Sequence, residues 1–263
     1  MPNEFHRSTQ RAIDIMRLVA GHNAEGLTMT ELSSLLHAPK SSLFSIIHTL
    51  ARNDILSLEA ATGKYRLGIR VYLLAHAFLK EDHIQPAILR EMERITAACR
   101  ETCFFGVLDG GDVLYLLKTD SPEPLRMVTQ GNKLPAYSTG IGKALLSGKT
   151  PEELYALYPD GLSPVTQNTI TDMDELIRQL SRIRETGIAY ENEESTQYVR
   201  CIGVPLRSVN GISAALSIAV PVFRYDEEKE KKMITLLKEA QDTIGSLLLN
   251  QPISGLFSNE PEF

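Results

Sequence analysis

Residues 28–52 read TMTELSSLLHAPKSSLFSIIHTLAR, and the break at His37-Ala38-Pro39 decides what the N-terminal part of the chain folds into. Thr28 stands three residues before Glu31, the spacing of a capping box in which each side chain satisfies the other's orphan amide. Leu32, Leu35 and Leu36 then give a short helix. His37 and Ala38 make a turn, and Pro39, with its fixed backbone angle, opens a further helix whose apolar stripe is Leu43, Ile46, Ile47 and Leu50. The opposite face carries Lys40, Ser41, Ser42, Phe44, Ser45, His48, Thr49 and Arg52, groups able to reach base edges and phosphates. Two helices joined by a three- to four-residue turn, the second with such a face, form the helix-turn-helix pattern.

Moving outward, a cap-like Ser8-Thr9 pair precedes Ala12, Ile13, Ile15, Met16 and Val19 at helical spacing until Gly21, which predicts a first helix. On the other side, Ile55 to Leu58, a Thr62-Gly63 turn and Lys64 to Leu67 predict a two-stranded wing with Lys64 and Arg66 near its tip. The candidate DNA contacts are therefore Thr28, Lys40, Ser41, Ser42, Phe44, Ser45, His48, Arg52, Lys64 and Arg66. The charge distribution agrees. The chain carries a formal net charge of -6, yet residues 1–68 hold seven Lys/Arg against six Asp/Glu and the remainder 20 against 27. An acidic body with a near-neutral head is the balance expected where only the head meets phosphates. The same motif would also serve a winged-helix module that contacts another protein, and salt dependence separates the two.

After Gly68, Val71, Leu73, Leu74, Ala77 and Phe78 give a helix apolar over more than half its circumference, a core helix or a dimer-forming linker. A dimer would present two recognition helices to successive major grooves. Beyond Pro86 a helix is expected to about Arg100. Strands follow at Thr102 to Leu108, Val113 to Thr119 and Leu125 to Thr129, then Cys201 to Leu206 and Ile212 to Ala219, with turns at 109–112 and at Asn210-Gly211. Helices are expected at Gly140 to Ser147, Pro151 to Leu157, Asp172 to Thr186 and Glu227 to Leu249. The pattern implies an α+β fold with an antiparallel sheet covered on one side. The expected organisation is 1–68 winged helix-turn-helix, 69–83 linker helix, 84–250 effector-binding domain and 251–263 a disordered tail.

At Ser138 to Lys143 a strand-like stretch turns into a helix through two glycines. A phosphate loop is excluded because Ala144 follows Lys143 where Ser or Thr is needed. Free amides at a helix start still attract an anion, and a carboxylate suits the mixed apolar surroundings; a tight helix entry without a ligand is the alternative. Enzymatic use of Cys201 as a nucleophile needs a base nearby, and no histidine follows His83. No catalytic residue is assigned. Cys99 and Cys103, read as helix-end core cysteines, have no second His/Cys pair for zinc, so neither metal nor cofactor is expected. With no run of about 20 apolar residues and no signal peptide at Met1 to Arg7, the expected location is the cytoplasm, without membrane contact.

From Gln10 to about Leu249 the chain resembles the isocitrate lyase regulator (IclR) family of bacterial transcription factors. The resemblance rests on Pro39-Lys40-Ser41-Ser42, Tyr65-Arg66-Leu67-Gly68, Ser138 to Leu146, Thr166-x-x-Thr169-Ile170, Gly187, Tyr190 and the acids after it, Cys201-Ile202-Gly203-Val204-Pro205, and Ala214-Ala215-Leu216-Ser217-Ile218. It implies winged-helix homodimers on double-stranded operator DNA, sometimes dimers of dimers, with a GAF-like C-terminal domain holding a small organic-acid or sugar-acid effector. A repressor of a catabolic operon is the expected role. Carried over by motif, Gly140 and Ile141 offer amides to an effector carboxylate beside Thr139, while Cys201 and Ser217 line the same cavity from facing strands. Glu191 accepts a hydrogen bond from a hydroxyl or hydrated carbonyl, and Met127 and Val199 are apolar walls. Ala219 stands where some members carry a second serine, which points to a larger or less polar acid than a very small ketoacid.

Overall fold

The computed structural model, which describes residues 6–80, 84–125, 133–208 and 211–250, divides into two separately packed units, Met1–His83 and Ile84–Phe263. In the first unit, helices α1 (Arg7–Gly21), α2 (Met29–Leu35) and α3 (Lys40–Arg52) surround a core of Ile15, Val19, Leu32, Leu43, Ile47 and Leu56. The capping box of α2 is formed: the Thr28 hydroxyl accepts from the Glu31 amide at 3.3 Å and the Thr28 amide donates to Glu31 Oε2 at 2.7 Å. His37 takes a left-handed turn conformation with φ 47°, and Pro39 caps α3 from one residue outside it.

Ser8 and Thr9 lie inside α1 and do not cap it. The cap residue is His6, whose ring Nδ1 is 3.1 Å from Thr9 Oγ1. Strands β2 (Leu56–Glu59) and β3 (Lys64–Leu67) make the wing. A two-residue strand, β1 (Leu27–Thr28), pairs with β3 and gives the sheet the order β1-β3-β2, an addition too short for any periodicity to announce. Gly68 then passes so close to the loop after α3 that an added Cβ would sit 2.1 Å from the Asp54 carbonyl oxygen. Its amide donates to the Ile55 carbonyl at 2.8 Å, so the residue after the wing can only be glycine. Helix α4 (Ile69–Lys80) follows, with Ile69, Leu73 and Leu74 exposed.

In the second unit, α5 (Ile84–Cys99) leads into β4 (Thr102–Asp109) and β5 (Asp112–Thr119), then β6 (Lys133–Pro135), α6 (Gly140–Leu146), α7 (Pro151–Leu157), α8 (Met173–Thr186), β7 (Ala189–Asn192), β8 (Val199–Ser208), β9 (Gly211–Pro221) and α9 (Glu227–Asn250). The six strands form one antiparallel sheet in the order β6-β5-β4-β9-β8-β7. Both of its faces are covered, not one. Residues Ile202, Val204 and Leu206 of β8 and Leu216, Ile218 and Val220 of β9 pack against α5 and α9, through Met92, Ile95, Met233, Leu237 and Ile244. Their odd-numbered neighbours, Val199, Cys201, Ala215 and Ala219, face Ile141, Ala144, Leu145 and Leu180 of α6 and α8. The signal was in β9 itself: Ala214 to Val220 is a nearly unbroken apolar run, the mark of a strand buried on both sides.

Two further expectations change. Leu125 is not in a strand, residues 126–129 lie outside the described residues, and the edge strand beside β5 is instead β6. Cys99 does end a helix, but Cys103 lies buried on β4, with its thiol pushed up by loss of water. The buried carboxylate of Glu101, at the start of β4, receives both Nε and Nη2 of Arg224 at 2.8 and 2.7 Å and Lys229 Nζ at 2.9 Å, tying the strand to the start of α9.

Candidate functional site

Helix α3 buries Leu43 and Ile47 and half-buries Ile46 and Leu50, so 3.6-residue periodicity turns Lys40, Ser41, Ser42, Phe44, Ser45, His48, Thr49 and Arg52 outward, and all eight are exposed. Phe44 does not fold back onto α1. It is 61% exposed and stacks on the His48 ring, one turn away, with centroids 5.9 Å apart. The pair forms a flat apolar and polar step in the middle of the face. Lys40 Nζ reaches back to Thr30 Oγ1 at 2.7 Å, and the Thr49 hydroxyl donates to the Ser45 carbonyl at 2.8 Å.

The wing is arranged differently from its face. Lys64 Nζ donates to the Glu25 carbonyl at 3.1 Å, and Arg66 Nη1 donates to the Asn23 carbonyl at 2.9 Å and to that of Ala24, while Arg66 Nη2 is 3.7 Å from Glu59. Both cations therefore brace the loop between α1 and β1. Thr28 is engaged too, since its hydroxyl also donates to Glu31 Oε2 at 2.8 Å. Among the sequence-derived contacts, those on α3 are presented to solvent, while Thr28, Lys64 and Arg66 have structural partners.

In the second unit the expected effector residues come together on the face of the sheet that meets α6. Register places Glu191, Cys201, Ala219 and Thr102 in one row across β7, β8, β9 and β4, and Ala189, Gly203, Ser217 and Phe104 in the next. Cys201 and Ser217 thus sit on adjacent paired strands, one step apart diagonally, rather than on strands facing across a gap. Val199 flanks the first row at 6% exposure. Met127 lies outside the described residues.

Helix α6 rests on these rows because two glycines allow it. A Cβ at Gly203 would be 2.7 Å from the Gly140 carbonyl oxygen, and one at Gly140 would be 3.1 Å from Cys201 Cβ. The backbone at the start of α6 therefore touches the sheet directly. Thr139 caps α6 by accepting from the Gly142 amide at 3.0 Å. The phenol of Tyr115, on β5, lies near Thr139 and is pushed up chiefly by burial.

Glu191 is 2% exposed. Its Oε1 accepts from the amides of Glu194 and Ser195, the latter at 3.0 Å, while Oε2 is buried without a partner. Loss of water pushes this carboxyl up to about 7, against the pull of the two amides and of the neighbouring Cys201 thiol. The thiol in turn is raised by burial and then by Glu191, which makes Cys201 a neutral wall group and not a nucleophile.

Sequence reading missed what holds Glu191 in place. Lys143 is fully buried and its ammonium donates to Glu194 Oε1 at 2.6 Å, Gln179 Oε1 at 3.0 Å and the Tyr190 carbonyl at 3.3 Å. Burial raises Glu194 although Lys143 pulls it down. Thr166 and Thr169 donate to the carbonyls of Glu193 and Glu194 at 2.6 and 2.7 Å, clamping the turn in which Glu193 has φ 59°. The Thr-x-x-Thr spacing was visible, but its partner lies 25 residues on. Tyr115 gave no signal beyond an aromatic in a strand.

Comparison with known proteins follows the same division. The IclR helix-turn-helix domain matches residues 8–59, and the bacterial transcriptional regulator IclR C-terminal domain matches residues 76–246. The HTH-type transcriptional regulator KdgR of Escherichia coli K12 is 33% identical over 225 residues, covering 83% of this chain and 84% of its own. The HTH-type transcriptional repressor AllR of Salmonella typhi is 25% identical over 252 residues, covering 94% and 92%. The crystal structure of an IclR homologue complexed with 4-hydroxybenzoate, from Microbacterium hydrocarbonoxydans, superposes with a TM-score of 0.78 at 24% identity, over 92% of this chain and 98% of that one.

Proposed function

The chain belongs to the IclR family of bacterial transcriptional regulators, whose members are DNA-binding regulators and not enzymes, and from this premise we propose that it represses a catabolic operon until a small organic acid occupies its C-terminal domain. Repression is the sense carried by the name of the AllR relative. The reading gives residues 1–68 the operator, 69–83 the connection and 84–250 the effector. Residues 251–263 lie outside the described residues and receive no role.

The observation that carries the effector assignment is the orphaned, buried Oε2 of Glu191 beside the start of α6. A buried polar atom without a partner is costly, and a ligand group that meets it recovers that cost. Gly140 and Ile141 offer main-chain amides, Thr139, Tyr115 and Ser217 offer hydroxyls, and Cys201, Val199 and Ala219 supply apolar wall. A ligand with one carboxylate and one further oxygen fits that set. Ala219 contributes no hydroxyl, which favours a larger or less polar acid over a very small ketoacid. The 4-hydroxybenzoate held by the Microbacterium relative is an acid of that description.

Two copies are proposed to pair through α4, which exposes Ile69, Leu73 and Leu74 and needs a partner for them, with pairing of dimers as a further step. Effector occupancy then acts only through its differential affinity for two arrangements of the dimer. Thermal unfolding against a panel of organic acids tests the assignment. Stabilisation by at least one acid, lost in Ser217→Ala or Glu191→Leu, is expected; tight binding of a non-acid with no response to any acid would refute it. No helix among the described residues is long and apolar enough to cross a membrane.

A further inference from the structure

Between α1 and the start of α3 the head carries a cleft of about 360 Å³ lined by Arg7, Ser8, Arg11, Pro39, Ser42 and Ile46. We propose that this cleft seats a phosphate of the DNA backbone, clamped by Arg7 and Arg11 from α1 against the wall formed by Pro39 and Ser42 at the start of α3. The inference rests on the DNA-binding reading and adds to the contacts on α3 and the wing a pair of cations carried by α1.

Three observations carry it. Arg7 and Arg11 are four residues apart, so they stack on one face of α1, roughly 6 Å apart along its axis. Among the described residues neither has a carboxylate partner; the only bond of either guanidinium is Arg11 Nη1 to Ser42 Oγ at 3.5 Å. Two like charges held beside one cleft repel each other until an anion lies between them.

The position of these cations is also unfavourable for the helix that carries them. Arg7 is the first residue of α1, its first turn has no acid, and His6 provides no side-chain cap. Helix N-termini favour negative charge, so arginine there opposes the dipole and is better explained by an anion arriving from outside. The planar fork of guanidinium matches a phosphate bidentately, which a lysine ammonium would not.

Ser42 ties the cleft to α3. Its hydroxyl donates to the Pro39 carbonyl at 2.8 Å and takes the bond from Arg11, so the cleft is continuous with the exposed start of α3, where Lys40 and Ser41 stand. A duplex laid against the outer face of α3 brings a backbone to this edge, beside the start of α1 where Arg7 and Arg11 stand. A phosphate contact positions the protein without reading sequence.

The test is duplex binding by the full-length Arg7→Ala/Arg11→Ala variant, titrated against salt on a promoter duplex and on a random-sequence duplex. The slope of log K against log salt is expected to fall in magnitude by about one unit, and both duplexes to weaken by the same factor. The Arg7→Lys/Arg11→Lys variant keeps charge but not the fork, and is expected to retain the slope with lower affinity. An unchanged thermal midpoint separates loss of contact from loss of fold. An unchanged slope in the alanine variant, or a loss confined to the promoter duplex, overturns the clamp while leaving the DNA reading intact. Loss of inorganic-phosphate binding with an unchanged duplex slope overturns it in favour of a free-anion site. A wild-type protein that ignores both duplexes at low salt overturns both readings.

Discussion

The two candidate sites of this chain obey opposite rules. On α3 the functional groups stand in water above the buried stripe of Leu43 and Ile47. On the α6 face of the sheet they are buried, and each polar group either has a partner or carries the penalty of lacking one. The difference has a physical consequence. Exposed groups contribute little to stability and act through screened, salt-sensitive attraction. Buried groups are coupled to folding, so changing them alters stability first and ligand response through it.

The largest expected effect lies at the best-partnered buried group. Removing the Lys143 ammonium strands the Glu194 carboxylate, which burial already raises, and leaves the Tyr190 carbonyl and Gln179 without their donor. Lys143→Met should lower unfolding free energy by about 3–5 kcal/mol, the cost of breaking a buried pair from one side. A second change, Glu194→Gln, should recover part of that loss in denaturant titrations of the double variant. If Lys143→Met is instead neutral, the buried cluster is looser than its distances imply and the contrast between the two regions fails there.

Glu191 sharpens the same side of the contrast through pH. Its carboxyl ionises at about 7 in the folded protein, above the ordinary 4.5. Between those values the unfolded chain releases the proton and the folded chain keeps it. Its stabilising contribution is therefore complete below about pH 4.5 and is lost as pH rises through about 7. Glu191→Gln keeps an acceptor for the two amides without ionising. Relative to wild type it should gain roughly 2–3 kcal/mol of stability between pH 5 and pH 8. An anionic effector should bind wild type more weakly as pH passes 7, with no such trend in the variant; parallel stability curves for the two proteins would show that Glu191 does not titrate in this range.

Thr28 tests the boundary between the regions, because it lies in the head yet is tied up in structure. Thr28→Ala removes a helix cap and should cost about 1 kcal/mol in thermal or denaturant unfolding. Measured where the variant is fully folded, its affinity for DNA should be close to wild type. A loss of affinity beyond the loss of stability would return Thr28 to the set of direct contacts.

How much of this was legible in the sequence follows the same division. The head could be read closely, since cap, turn and stripe are local signals: Thr28 with Glu31, His37 and Pro39, Leu43 with Ile47. Apart from the Ser8-Thr9 pair, which lies inside α1 and does not cap it, what failed there was non-local, namely the engagement of Lys64 and Arg66 with a loop some 40 residues earlier. In the second unit the helices and long strands were visible, whereas the order of the strands and the covering of both faces depend on pairing at long range. The effector residues came from resemblance to a family, not from periodicity. Lys143 was noticed only as part of the Ser138 to Leu146 stretch and of a phosphate-loop pattern that Ala144 breaks, and nothing in its neighbours announces Glu194 as its partner, 51 residues away.

The smallest change in stability with a measurable change in function is expected at Arg52. It is exposed in the last turn of α3, where a cation also suits the helix C-terminus, and no ion pair involving it occurs among the described residues. Arg52→Ala should leave unfolding within about 0.5 kcal/mol of wild type, as surface substitutions usually do. If its guanidinium meets one phosphate, DNA affinity should fall and the salt slope flatten by about one unit. Lys64→Ala is a less clean probe, because Lys64 Nζ already donates to the Glu25 carbonyl and its loss would also loosen the loop after α1. A flattened slope for Arg52→Ala without a change in stability places it with the water-facing groups of α3. A destabilised protein with an unchanged slope would mean that the outer face of this helix is governed by packing, as the buried cluster is, and that the two regions do not differ in kind.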